Sequence, residues 1–185
     1  MRTTPCVILF FLLVMIIKLN AQSAGLYKNH WQRFSIDSTD LSLLLPEAPQ
    51  KVVLSDLPSW FHSQSGDKYG YVAKTSKLNI VISCWLFTSF FEADIAMRGI
   101  QSGAAFINSK INISTGYDEK NDGLIINSVG NIGPAFNIKR FSKSFIIGTR
   151  SWLVEVDCTK TDSITIEQAH RILDSMRLTV HENSK

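Results

Sequence analysis

An excess of charge of either sign is the first thing missing from this 185-residue chain: 19 Lys and Arg stand against 16 Asp and Glu. No Lys/Arg stripe forms either, so the electrostatic basis for gripping a phosphate backbone is absent, and nucleic acid is excluded as a partner. Cysteine is also scarce, three residues with no CxxC pair, and His30, His62, His170 and His181 are scattered without HExxH spacing. Metal centres that declare themselves by ligand spacing are thereby excluded, and no metal is expected. Phosphate loops and dinucleotide fingerprints are missing as well, and no cofactor is expected. The nearest text to a serine-hydrolase elbow is Gly99-Ile100-Gln101-Ser102-Gly103, which has the wrong spacing and falls inside a predicted helix rather than at a strand-to-helix turn. Repeats, low-complexity tracts and long linkers are absent too.

What is present begins with an address. Arg2 precedes the uninterrupted apolar run Val7 to Ile17, and Ala21-Gln22-Ser23-Ala24 offers small residues for cleavage after Ala21 or Ser23. That order is a secretory signal peptide, and the run is short for a membrane helix, which wants about 20 apolar residues. Retention as an anchor, with Lys18 at the interface, stays open. The expected division is a leader over 1–24 and one domain over 25–185, exported to the periplasm or beyond the cell and holding no stable membrane span once the leader is cut. The leader carries two basic residues and no acidic one, so the mature balance falls to about +1 from the whole-chain +3.

Along the mature chain, period-2 patterning predicts strands at Phe34–Ile36, Leu41–Leu45, Lys51–Leu54 and Tyr69–Lys74, with a surface loop over 55–68. Leu78 to Phe87 is the clearest strand: Leu78, Ile80, Ile82, Cys84 and Leu86 share one face, Asn79, Val81, Ser83, Trp85 and Phe87 the other. Ser89 and Glu92 stand at capping-box spacing before a helix whose apolar side is Phe90, Ala93, Met97, Ile100, Ala104 and Ile107. Gly99 and Gly103 in that helix predict close approach to a sheet. Ile111–Tyr117 and Leu124–Val129 flank the turn Asn121-Asp122-Gly123. A long strand, Ala135–Ile147, changes phase between Ile138 and Phe141, which predicts a bulge. Arg150–Cys158 follows the turn Gly148-Thr149, and Thr165 with Gln168 caps a last helix to about Met176, before an extended tail at Leu178–Val180. Strands, helix, meander, helix call for an α+β domain, an antiparallel sheet with helices packed on it.

Few residues stand out for chemistry. Cys84 and Cys158 are an even pair in an oxidising compartment, so a disulfide is one reading and two small buried thiols the other. Asn112-Ile113-Ser114 is a glycosylation sequon, relevant in a host that glycosylates exported proteins. Large aromatics beside a few polar groups are the raw material of a binding surface. Trp60 and Phe61 in the loop, Trp85 and Phe87 on the polar side of their strand, and Glu155 and Asp157 on the non-core side of theirs form the candidate set. The competing reading makes Trp85 and Phe87 filling for a second layer of core.

Four stretches, FSIDSTDLSLLLPEAP, GIQSGAAFINSK, FIIGTRSWLVEV and EQAHRILDSMRL, occur in an order that resembles the PsbP-like superfamily over nearly the whole mature chain. That superfamily includes a photosystem extrinsic subunit, a Ran-binding nuclear import factor and many exported bacterial proteins. The resemblance implies an α/β/α sandwich and a non-catalytic binding or assembly role, with another envelope or extracellular protein as partner. It transfers no functional residue, because no site motif matches. Two rivals stand beside it: a small-molecule or lipid carrier with an apolar cavity under Trp85 or Trp60, and a hydrolase whose site assembles from separated residues.

Overall fold

Alternation of side chains decides the architecture. A computed structural model describes residues 31–36, 40–52, 68–103, 111–132 and 137–179. The leader and the Trp60-Phe61 loop lie outside them. The described residues form ten strands and two helices: β1 (Gln32–Ser35), β2 (Leu41–Leu45), β3 (Gln50–Val52), β4 (Lys68–Lys74), β5 (Leu78–Leu86), α1 (Phe90–Gly103), β6 (Ile111–Asp118), β7 (Gly123–Ile132), β8 (Ile138–Ile147), β9 (Arg150–Cys158), α2 (Ser163–Asp174) and β10 (Arg177–Leu178). Seven strands make an antiparallel sheet in the order β3-β4-β5-β9-β8-β7-β6, and β1-β2-β10 make a second, small one. The fold is α+β, an antiparallel sheet with helices packed on it as the patterning predicts.

Both faces of the large sheet are covered, each by its own core. One face carries Leu78, Ile80, Ile82, Phe141, Phe145, Trp152, Val154 and Val156, packed against α2 and the leucines of β2. Burying such side chains contributes roughly 1.5–3 kcal/mol each. The other face carries Trp85, Ile126, Ile146 and Leu153 beneath Ala93, Met97 and Ile100 of α1. Among the described residues no helix is long and apolar enough to cross a membrane.

Two-sided covering explains a departure from expectation in β8. Its pairing with β9 runs unbroken from Lys139 opposite Cys158 to Ile147 opposite Arg150, so there is no bulge between Ile138 and Phe141. Phe141 and Phe145 point to one core and Ile146 to the other, so the phase change in hydropathy marks apolar contact on both sides of a regular strand.

Caps and turns also differ in detail. The cap of α2 is Asp162, three residues earlier than expected: its Oδ1 accepts from the Thr165 backbone N–H at 2.8 Å and hydroxyl at 2.9 Å. These bonds to the charged form hold the Asp162 carboxyl below its ordinary range. In α1, Ser89 Oγ accepts from Glu92 N–H at 3.2 Å as expected, while the Glu92 carboxylate accepts from the Thr88 N–H rather than from Ser89. The β6–β7 hairpin closes with Asp122 at φ 51°, and Gly123 opens β7 because a Cβ there would meet Ile147 Cγ1 at 2.9 Å. Gly99 does not bring α1 close to the sheet: it lies on the exposed side, with nothing within 4 Å of where a Cβ would stand.

Candidate functional site

The sheet face under α1 sorts its residues into rows, because antiparallel partners share a face. In one row Asn79 of β5, Asp157 of β9, Arg140 of β8 and Gly130 of β7 lie side by side. In the next row come Val81, Glu155, Ser142 and Ser128. The apolar core sits beyond, at the Trp85 end. One end of this face is therefore dry and the other polar.

Glu155 and Asp157 meet at that polar end, as their shared face predicts, but a residue that sequence reasoning passed over stands between them. Arg140 Nε and Nη2 donate to Asp157 Oδ1 and Oδ2 at 2.6 and 2.8 Å, and Nη1 donates to Glu155 Oε1 at 2.9 Å. The two-pronged geometry on Asp157 is the strong form of this pair. Burial tends to lower the pKa of Arg140, but its bond to Asp157 and the two carboxylate charges outweigh that and raise it. Burial pushes Glu155 above the usual carboxylate range, and the Arg140 charge offsets only part of the rise. The alternation Arg140-Ser142-Ser144 in β8 was the available signal for this cluster. It was obscured because the opposite alternation, Phe141 and Phe145, dominates the hydropathy of that strand.

Gln101 of α1 closes the cluster from above. It is 3% exposed. Its Nε2 donates to the Ile126 carbonyl and to Ser142 Oγ at 3.1 Å each, and Ser142 and Ser128 hydroxyls lie 2.6 Å apart. Its Oε1 has no hydrogen-bond partner among the described residues. A small recess lined by Gln101, Ser128, Arg140 and Glu155 has room for one ordered water. The acidic pair is thus occupied by its own guanidinium.

Of the remaining sequence candidates, Trp60 and Phe61 lie outside the described residues, and Trp85, Phe87, Cys84 and Cys158 fall into the core. Trp85 and Phe87 are 1% and 5% exposed, their rings 5.8 Å apart beneath α1, so the second-layer reading of these two is the one their burial supports. They present no surface to a partner. Cys84 and Cys158 are both free and buried, and no disulfide joins them. The reason is register: Cys84 lies opposite Trp152, whereas Cys158 lies opposite Leu78, six residues along the same strand pair. At about 3.3 Å per residue that is roughly 20 Å, far beyond disulfide reach. Burial pushes the Cys84 thiol up to about 12 and that of Cys158 up to about 11, which keeps both protonated and unreactive. His170 packs edge-on against Phe141, ring centroids 4.8 Å apart. Among the described residues no three His, Cys, Asp or Glu side chains converge as metal ligands.

Large apolar groups do reach solvent, at positions the sequence reading missed. Phe91 and Ile95 stand one helical turn apart on the outer side of α1 and are 71% and 54% exposed. Phe90, expected on the buried face, lies at the first turn and is half exposed. Arg98 and Asp94 border the pair with an ion pair at 2.7 Å. Periodicity did not reveal Phe91 and Ile95 because α1 is apolar on more than one side.

No family model matches the chain, and no curated protein matches its sequence. Its fold is similar to a solved one, the solution structure of cyanobacterial PsbP (CyanoP) from Synechocystis sp. PCC 6803. The match covers 84% of this chain and 96% of that one with a TM-score of 0.53 at 10% sequence identity. The two proteins share a fold at a distance where sequence carries almost no memory of it.

Proposed function

We propose that this chain is an exported binding or assembly factor of PsbP-like type, whose contact surface is the outer side of α1. The observation that carries the proposal is the exposed Phe91–Ile95 pair on a helix already anchored by its opposite face. Adjacent apolar side chains rimmed by charge are how a rigid domain meets a protein partner. The partner class is another envelope or extracellular protein, in keeping with the leader read from residues 1–24. The PsbP-like sandwich supports a non-enzymatic reading, as do the buried thiols and the neutralised acidic pair.

Affinity capture from an envelope extract, with mass spectrometry of bound proteins and extracted small molecules, tests this. The wild-type chain should retain a protein that Phe91→Ser/Ile95→Ser loses while melting as wild type does. Removing both side chains should cost about 2 kcal/mol of binding, roughly a thirtyfold loss in affinity. Equal capture by both proteins would remove α1 from the interface. A lipid or metabolite retained by both, with no protein, would support the carrier instead.

A further inference from the structure

Strand β6 ends the large sheet, and almost its whole length is exposed. The opposite end, β3, is three residues long, whereas β6 has eight. Long edges in isolated domains are ordinarily blunted by lysine, proline or a bulge, because their free N–H and C=O groups template pairing. Asn112 to Tyr117 contains no charge and no proline. Pairing with β7 is regular at all eight positions, so no bulge twists the edge away. Among the described residues nothing pairs its outer side. Ile113 and Tyr117 lie on the same sheet face, the one that α1 covers, and are 41% and 59% exposed.

We propose that β6 is a homodimer seam, two copies pairing antiparallel about a two-fold axis through Thr115 to join their large sheets into one. The strand is complementary to itself in that register. Residues opposite one another must share a face, and centring on Thr115 sets Ile113 opposite Tyr117 of the second copy, twice by symmetry. Such β-branched–aromatic cross-strand pairs are among the favourable ones. On the other face Asn112 meets Asp118 of the second copy, an amide opposite a carboxylate, while on the face of Ile113 and Tyr117 the Thr115 side chain meets its own mate at the axis. Shifting the axis to Gly116 leaves Ile113 beyond the end of the partner strand. Shifting it to Ser114 leaves Asp118 without an opposite residue. The uncharged centre lets two copies approach without repulsion. This seam is independent of the α1 surface.

Sedimentation of the full chain, processed as its host leaves it, across dilute to concentrated protein is the test. A concentration-dependent dimer is expected. Thr115→Lys and Thr115→Glu each place like charges face to face at the axis and should each abolish the dimer. An equimolar mixture of the two should restore it, a result that misfolded variants would not give. A monomer at every concentration, glycosylated at Asn112 or not, overturns the proposal. So does a dimer that persists with either charge.

Discussion

Burial and a guanidinium act on Glu155 in opposite directions, and burial is the larger influence. Its native pKa therefore lies above the ordinary value of 4.5. Between that value and its native pKa, the folded protein holds a proton that the unfolded chain has released, so this group makes stability fall as pH rises. Glu155→Gln cannot titrate and keeps an oxygen for Arg140 Nη1. Its stability relative to wild type should therefore climb as pH is raised from 4.5 towards neutrality, measured by denaturant melts at several pH values. A constant difference would mean that Glu155 ionises alike in both states. The pairing of Glu155 with Asp157 was legible from alternation in β9. Arg140 was not, because which side of a two-faced strand packs under a helix depends on a partner more than 35 residues away, Gln101.

At the scale of elements, α1 is where local rules and tertiary setting diverge most. Its capping serine and its inner stripe Ala93-Met97-Ile100 follow from sequence, as helix patterning requires, while the expected stripe positions Ala104 and Ile107 lie outside the described residues. The role of Gly99 does not follow. A mid-helix glycine predicts a close approach, yet Gly99 faces open space and only weakens the helix. Gly99→Ala should raise stability by about 0.5–1 kcal/mol, visible as an upward shift in melting temperature. No gain would show that Gly99 has a packing or functional role after all. The α2 cap shows the same limit at smaller scale: Thr165 and Asp162 both suit an N-cap, and the choice fell to Asp162, whose carboxylate takes both Thr165 donors.

For the whole molecule, the two cysteines act as internal reporters. Both lie in one core, at opposite ends of the β5–β9 pair. If the large sheet opens as one unit, Cys84 and Cys158 should label with a thiol reagent at the same rate, equal to the rate of global unfolding. Faster labelling of either would reveal a separately opening end. By itself the sequence determined the α+β class, most strands and both helices, because periodicity and capping are properties of a few neighbouring residues. It also placed Glu155 and Asp157 on one face. Only the tertiary structure decided that Trp85 and Phe87 are core, that Phe91 and Ile95 are surface, that the cysteines stay apart and that β6 is left as a long edge. Each of those outcomes depends on which element covers which face and on strand order, and both arise from contacts between residues far apart in the chain.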